Sequence, residues 1–169
     1  MYVQQKQMMN LNQYNQSVQT YADGLYRFIY KSIGNQADAE DIVQTTYEKL
    51  WKNKDNVEQS KLKSYLYTIA YNTMIDHIRK NKRTEYRDAQ ENETLPTYTN
   101  TTQLKQILDL ALQKLNETQR SLVLLKDYEG YSYTEIAVIM DLTESQVKVY
   151  LHRARLILKN YIVSTHHVI

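Results

Sequence analysis

Residues 131–159 read YSYTEIAVIMDLTESQVKVYLHRARLILK, and this stretch decides the fold of the second half of the chain. Ser132 precedes Glu135 by three positions, and Thr143 precedes Gln146 by three. Both pairs have the spacing of a capping box, in which two side chains satisfy the free backbone donors at the start of a helix. Two helix starts eleven residues apart predict a short helix, a tight turn and a second helix, which together form a helix-turn-helix.

The turn between these two helices has Asp141 where glycine is usual. Aspartate tolerates the left-handed conformation better than most residues, so the turn remains feasible. Small Ala137 lets the two helices approach closely. The residues predicted to pack the pair together are Ile136, Ala137, Met140, Leu142, Val147 and Tyr150.

The second helix of the pair has one apolar face and one polar, basic face. Val147, Leu151, Ala154 and Leu158 recur with the helical period and are expected to face inward. Lysine and arginine neutralise phosphates, and serine, glutamine, lysine and arginine reach base edges in a major groove. Its place as second helix of a capped pair favours DNA contact over a merely solvated surface. The predicted DNA-binding residues are Ser145, Gln146, Lys148, Val149, His152, Arg153 and Arg155.

The composition of the 169 residues indicates helices and excludes several classes of protein. Three glycines and one proline argue against Gly-rich phosphate loops and many-stranded sheets. The absence of cysteine excludes disulfides and thiolate metal sites, and makes the cytoplasm the expected location. No long apolar run or signal-peptide pattern occurs, so we expect a soluble protein without membrane insertion.

The remaining helical patterns predict an all-α protein of two small helical domains joined by a flexible linker. Helices are expected at residues 14–33, 38–51 and 62–83 in the first half. Polar residues with the only proline follow, and they separate a domain at 1–87 from a domain at 104–169 by a linker at 88–103. Helical spacing returns at the positions 104–115, 117–128, 133–140 and 144–161.

A second basic stretch, YLYTIAYNTMIDHIRKNKR, occupies residues 65–83 of the first domain. Aromatic rings stack on unpaired bases and cations follow the phosphates, so the combination suits single-stranded or melting DNA. Tyrosines at helical spacing are, however, more often core or half-buried residues. The stretch therefore leaves both interpretations open when taken alone.

The whole chain, over about residues 14–161, resembles an extracytoplasmic-function (ECF) sigma factor, a small two-domain bacterial sigma factor. The first block reads LYRFIY at 25–30, DAEDIVQTTYEKLW at 38–51 and LKSYLYTIAYNTMIDHIRK at 62–80. The second block occupies residues 112–159 and begins LQKLNETQRSLVLLKDYEG. Their order, the acidic connection between them and the total length all fit this family.

The resemblance implies separate surfaces for core RNA polymerase and for two promoter elements. The helix of residues 38–51 would bind the clamp helices of core RNA polymerase, and its polar face has no obvious use on DNA, where its acids would repel phosphate. The matching positions there are Asp38, Glu40, Asp41, Gln44 and Glu48. Residues 53–83 would handle the minus-ten promoter element, and the helix of residues 144–155 the minus-thirty-five element, with neighbouring helices on the polymerase flap.

Within the minus-ten block, the family commonly has arginine at the position of Tyr71. The residues predicted there for promoter DNA are Tyr65, Tyr67, Tyr71, Asn72, Asp76, Arg79, Lys80 and Arg83. Many members of the family are held inactive by an anti-sigma factor, so such a partner is expected too.

Two other classes of protein compete with this interpretation. A sigma-mimic that sequesters an anti-sigma factor would lack the DNA-facing basic residues, and a conventional helix-turn-helix regulator leaves the first domain unexplained. The sequence has no nucleophile motif, phosphate loop or convincing metal-ligand spacing. We therefore expect no enzyme activity, no catalytic residue, no metal and no cofactor.

Overall fold

The structure, a computed structural model, describes residues 8–85 and 103–166. These residues form two compact units without strands, which confirms the predicted all-α architecture. The predicted linker at 88–103 lies outside the described residues except for Gln103, where a helix begins. The α-helices are α1 (Leu11–Ile33), α2 (Gln36–Lys52), α3 (Leu62–Glu85), α4 (Gln103–Gln113), α5 (Glu117–Val123), α6 (Tyr133–Met140) and α7 (Glu144–His166).

The first unit is a three-helix bundle in which α1 packs on both α2 and α3. Asn10 and Gln13 form a capping box at the start of α1, and Gly34 ends the helix in the left-handed conformation. Asn35 then caps α2, so α2 starts two residues earlier than the sequence predicts. The largest buried apolar side chains of this core are Leu25, Phe28, Ile29, Leu50, Leu66, Tyr67 and Met74.

The polar connection between α2 and α3 is ordered into two short 3-10 turns, Lys54–Asn56 and Gln59–Lys61. Val57 lies between them and is only 7% exposed. Burial of this single apolar side chain fixes an otherwise polar loop against the bundle. The loop therefore has a defined shape next to the last turn of α2.

The second unit contains α4 to α7, with α7 packed on both α4 and α5. A π-helix, Leu124–Tyr128, continues α5, so the single helix predicted at 117–128 changes its hydrogen bonding halfway. Arg120 donates from Nε to the carbonyl of Leu112 at 2.9 Å and from an Nη to that of Leu115 at 2.9 Å. These bonds connect the end of α4 and the turn that follows it to α5.

The helix-turn-helix consists of α6 and α7, and both of its predicted capping boxes are present. The backbone N–H of Glu135 donates to Ser132, and that of Gln146 donates to Thr143. The reciprocal bonds run from the N–H of Ser132 to Glu135 and from the N–H of Thr143 to Gln146. Asp141 has a φ of 53°, which confirms the left-handed turn predicted at this position.

Candidate nucleic-acid and protein interfaces

The outward face of α7 is formed by the residues that the sequence singles out. Val147, Leu151 and Ala154 are buried and Leu158 is half-buried, so most of the apolar stripe packs inward as predicted. Thr134 donates to Glu144 at 2.8 Å, which ties the start of α6 to the start of α7. All seven α7 residues predicted to bind DNA are exposed: Ser145, Gln146, Lys148, Val149, His152, Arg153 and Arg155.

Two lysine ammonium groups lie close to the Tyr133 ring, an arrangement that the sequence did not predict. The Lys126 ammonium is 4.6 Å from the ring centroid and also donates to the carbonyl of Tyr131 at 3.1 Å. The Lys148 ammonium is 5.6 Å from the same centroid. Cation–π attraction restricts both long side chains. No spacing rule links positions 126, 133 and 148, so only the fold brings these three side chains together.

Arg155 makes an ion pair inside its own unit. Its Nε lies 3.2 Å from Oδ2 of Asp127, and one Nη contacts Oδ1 of the same carboxylate. The hydrogen bonds to Asp127 are the main reason that the pKa of Arg155 is raised. The fork geometry orients the guanidinium and ties α7 to the end of the π-helix. Arg155, one of the α7 residues predicted to bind DNA, thus has a structural role within its own unit.

On α3, the predicted minus-ten residues fall mostly on one exposed stripe. Asn72, Asp76 and Arg79 follow one another at helical spacing and are exposed, as are Lys80 and Arg83. Tyr65 and Tyr71 are half-buried. The stripe therefore becomes basic toward the end of α3.

Tyr67 is the exception, and its predicted contact with DNA is wrong for this conformation. The residue is only 2% exposed, and its ring centroid is 5.7 Å from that of Phe28 on α1. A tyrosine in this position fills the core of the bundle and has no face open for a base. The repeat of tyrosines at 65, 67 and 71 concealed this difference because the residue type is the same at all three positions.

The acidic face of α2 is exposed along almost its whole length. Glu40, Asp41, Gln44 and Glu48 are exposed, and Gln44 Nε2 is 3.4 Å from an oxygen of Glu48 one turn away. Asp38 differs because it is half-buried, with Oδ2 at 3.1 Å from Nε2 of His77 on α3. The predicted residues thus form one continuous surface, with Asp38 at its inner edge.

The described residues contain no group of three or more His, Asp or Glu side chains that could hold a metal ion. None of the helices in residues 8–85 and 103–166 is long and apolar enough to span a membrane.

Two family models match the chain, and their ranges follow the two units. Sigma-70 region 2 matches residues 17–84, and Sigma-70 region 4 matches residues 105–158. The first match contains α2 and nearly all of α3, and the second contains α6 and the part of α7 up to Leu158.

Individual relatives narrow the class. The chain is 30% identical over 154 residues to the ECF RNA polymerase sigma factor SigW of Bacillus subtilis (strain 168), with 82% of each protein covered. It is 29% identical to the ECF RNA polymerase sigma factor SigE of Mycolicibacterium smegmatis, but spans only 61% of that relative. The solved sigma factor RpoE of Bartonella quintana, in complex with the anti-sigma factor NepR, has a TM-score of 0.78 and 28% identity, covering 90% of this chain and 98% of that one.

This chain belongs to the ECF RNA polymerase sigma factors.

Proposed function

We propose that this sigma factor binds core RNA polymerase, recognises the minus-ten and minus-thirty-five promoter elements and helps to open the DNA strands. The observation that carries the proposal is the complete helix-turn-helix, whose second helix presents all seven predicted DNA-binding residues on its exposed face. The protein catalyses no bond chemistry in this scheme. It acts in the cytoplasm, together with polymerase and DNA.

The second unit reads the minus-thirty-five element through α7. The helix begins with a capped first turn that fixes Ser145 and Gln146, and Lys148 and Arg153 follow on the exposed face. Serine, glutamine, lysine and arginine on a recognition helix can reach base edges in the major groove. Neighbouring helices of this unit contact the polymerase flap.

The first unit combines a protein surface with a DNA surface. The acidic face of α2 binds the clamp helices of core polymerase, because its three exposed acids Glu40, Asp41 and Glu48 would repel phosphate but suit a basic protein groove. The exposed stripe of α3 and the loop of residues 53–61 handle the minus-ten element. Arg79, Lys80 and Arg83 supply the phosphate contacts of this surface.

The two units act through the linker proposed at residues 88–103, between domains at 1–87 and 104–169. A tether raises the local concentration of one unit once the other has bound, so two weak DNA contacts cooperate. The relative RpoE was solved with an anti-sigma factor. We extend this partner class to the present chain and propose that an anti-sigma factor blocks its polymerase-binding surfaces.

Run-off transcription tests the proposal. Purified core polymerase is supplied with a fragmented library of the host genome, with and without this protein. Transcripts that appear only with the protein, from starts that share two spaced upstream elements, are the expected result and reveal the promoter. Active core with a folded protein but no new starts would contradict the proposal and favour a sigma-mimic or a conventional regulator.

A further inference from the structure

Trp51 is the only tryptophan of the chain and occupies the last turn of α2, immediately before the ordered loop. Its side chain is 38% exposed. More than a third of this large aromatic side chain thus stays in contact with water, although aromatic residues usually stabilise a fold through burial. The exposed part of the indole is therefore accessible to a ligand.

The Trp51 ring is held from one side by a chain of aromatic contacts. The Tyr14 ring meets it edge-on, with centroids 5.0 Å apart and an angle of 69° between the planes. Tyr14 in turn contacts the Tyr47 ring at 5.9 Å and donates to the carbonyl of Tyr47 at 3.3 Å. Tyr47 donates to the carbonyl of Ser17 at 2.9 Å, and burial raises its pKa, so it remains a neutral donor. The indole is thus held in position before any ligand arrives.

The surroundings of Trp51 are basic. The Lys54 ammonium lies 4.0 Å from the centroid of the indole ring. Residues 49–63 contain five lysines and only two acidic residues, Asp55 and Glu58. Lys49 and Lys52 suit the negative end of the α2 dipole, and Lys61 pairs with Glu58 at 3.2 Å, but neither effect explains the position of Lys54 at the indole ring. An excess of lysines thus follows the acidic face of α2 along the chain.

We propose that Trp51 and Lys54 form a stacking platform for one unpaired base of single-stranded DNA. A base pair in a duplex shows only its edges, whereas an unpaired base offers the flat face that an aromatic ring can cover. The arriving base replaces the Lys54 ammonium on the indole, and Lys54 moves to the adjacent phosphate. The platform rests on the proposed function, because it adds a residue outside the predicted set to the surface that holds the melted strand.

The test uses holoenzyme assembled from core polymerase and the full chain, on a promoter found in the run-off experiment. Affinity is measured for a fragment with the non-template strand unpaired across the minus-ten element, and for a duplex that ends upstream of it. Trp51→Leu should weaken binding of the unpaired fragment at least about fivefold, since stacking of one base has at least that effect. Binding of the upstream duplex should not change.

Conservative variants separate stacking from structural damage. Trp51→Phe keeps an aromatic face and should restore most of the affinity lost in Trp51→Leu. Lys54→Met should weaken binding of the unpaired fragment more than Lys105→Met, which makes the same charge change at an exposed position on α4. Equal affinity of Trp51→Leu and wild type for the unpaired fragment would overturn the platform alone. A wild-type protein that selects no start sites would overturn the proposed function as well.

Discussion

The two helices predicted to contact promoter DNA, α3 and α7, differ in how well their sequences indicate their exposed faces. On α7, all seven predicted residues are exposed, and of the four residues predicted to face inward, three are buried and Leu158 is half-buried. On α3, Tyr67 is in the core while Tyr65 and Tyr71 are half-buried. The buried face of a helix can therefore be predicted from sequence where aliphatic and charged residues alternate. It cannot be predicted where the same amphipathic residue type occupies several faces.

The reason lies in the chemistry of tyrosine. A valine or leucine stabilises the fold only when its side chain leaves water, and an arginine or lysine is rarely buried without a partner. Tyrosine has a large apolar ring with a polar tip, so both burial and exposure are compatible with it. A helix that contains tyrosines at 65, 67 and 71 therefore gives no periodicity from which the inner residue can be identified.

The largest expected effect separates the buried tyrosine from its neighbour. Tyr67→Ala should lower the free energy of unfolding of the first unit by about 3–5 kcal/mol, because it leaves a cavity beside Phe28. Tyr65→Ala, on the same helix, should cost clearly less. Urea unfolding followed by fluorescence of Trp51 reports on this unit alone, since the chain has no other tryptophan. Equal losses in the two variants would contradict the difference in burial.

Substitutions on α7 and α3 should differ in their effect on sequence discrimination. Lys148→Ala combined with Arg153→Ala should weaken binding of a duplex with the selected upstream element about ten- to a hundredfold, since a good base contact contributes about 1–3 kcal/mol. The same variant should discriminate less against a scrambled element. Arg79→Ala combined with Lys80→Ala should instead weaken all sequences alike, because phosphate contacts carry no sequence information.

Holoenzyme binding to both duplexes provides the measurement for this pair of variants. Loss of discrimination in the α3 variant, with discrimination retained in the α7 variant, would reverse the assignment of the two helices.

The smallest expected effect concerns Arg155, whose guanidinium forms an ion pair with Asp127 in its own unit. Asp127→Asn should change stability by less than about 1 kcal/mol, because both side chains are well exposed to water. It should raise affinity for duplex DNA a few-fold, since Arg155 is then available to a phosphate. Each new phosphate contact makes the slope of log K against log salt steeper by about 0.9.

Asp141→Asn is the matched control for this prediction. It removes one acidic charge from the same unit, and asparagine also tolerates the left-handed conformation of the turn. If both variants steepen the salt slope equally, the change reflects net charge and not the release of Arg155.

Much of the architecture could be predicted because the local signals agreed with one another. The capping pairs Ser132–Glu135 and Thr143–Gln146 fixed the starts of α6 and α7, and Asp141 marked the turn between them. Three kinds of detail could not be predicted. The change to π-helical bonding after Val123 has no local pattern, the Asp127–Arg155 pair joins residues 28 positions apart, and the position of Trp51 depends on contacts with α1.

The acidic face of α2 also shows what spacing within one helix can and cannot predict. Helical spacing placed Asp41, Gln44 and Glu48 on the outer face of α2, the resemblance added Glu40, and all four are exposed. Spacing within α2 could not show that Asp38 faces His77, because that contact depends on how α2 packs against α3. Local patterns thus predict which residues leave the core, while partners across helices come from the tertiary fold.

In the proposed function, polymerase and promoter DNA bind different surfaces of this sigma factor. The most direct measurement is capture of core polymerase by two double variants, Asp41→Lys with Glu48→Lys and Lys148→Ala with Arg153→Ala. Charge reversal on α2 should abolish capture, because like charges placed at an interface cost several kcal/mol. The α7 variant should capture core polymerase as well as wild type. Normal capture by the α2 variant, or loss of capture in the α7 variant, would contradict the assignment of polymerase and DNA to different surfaces.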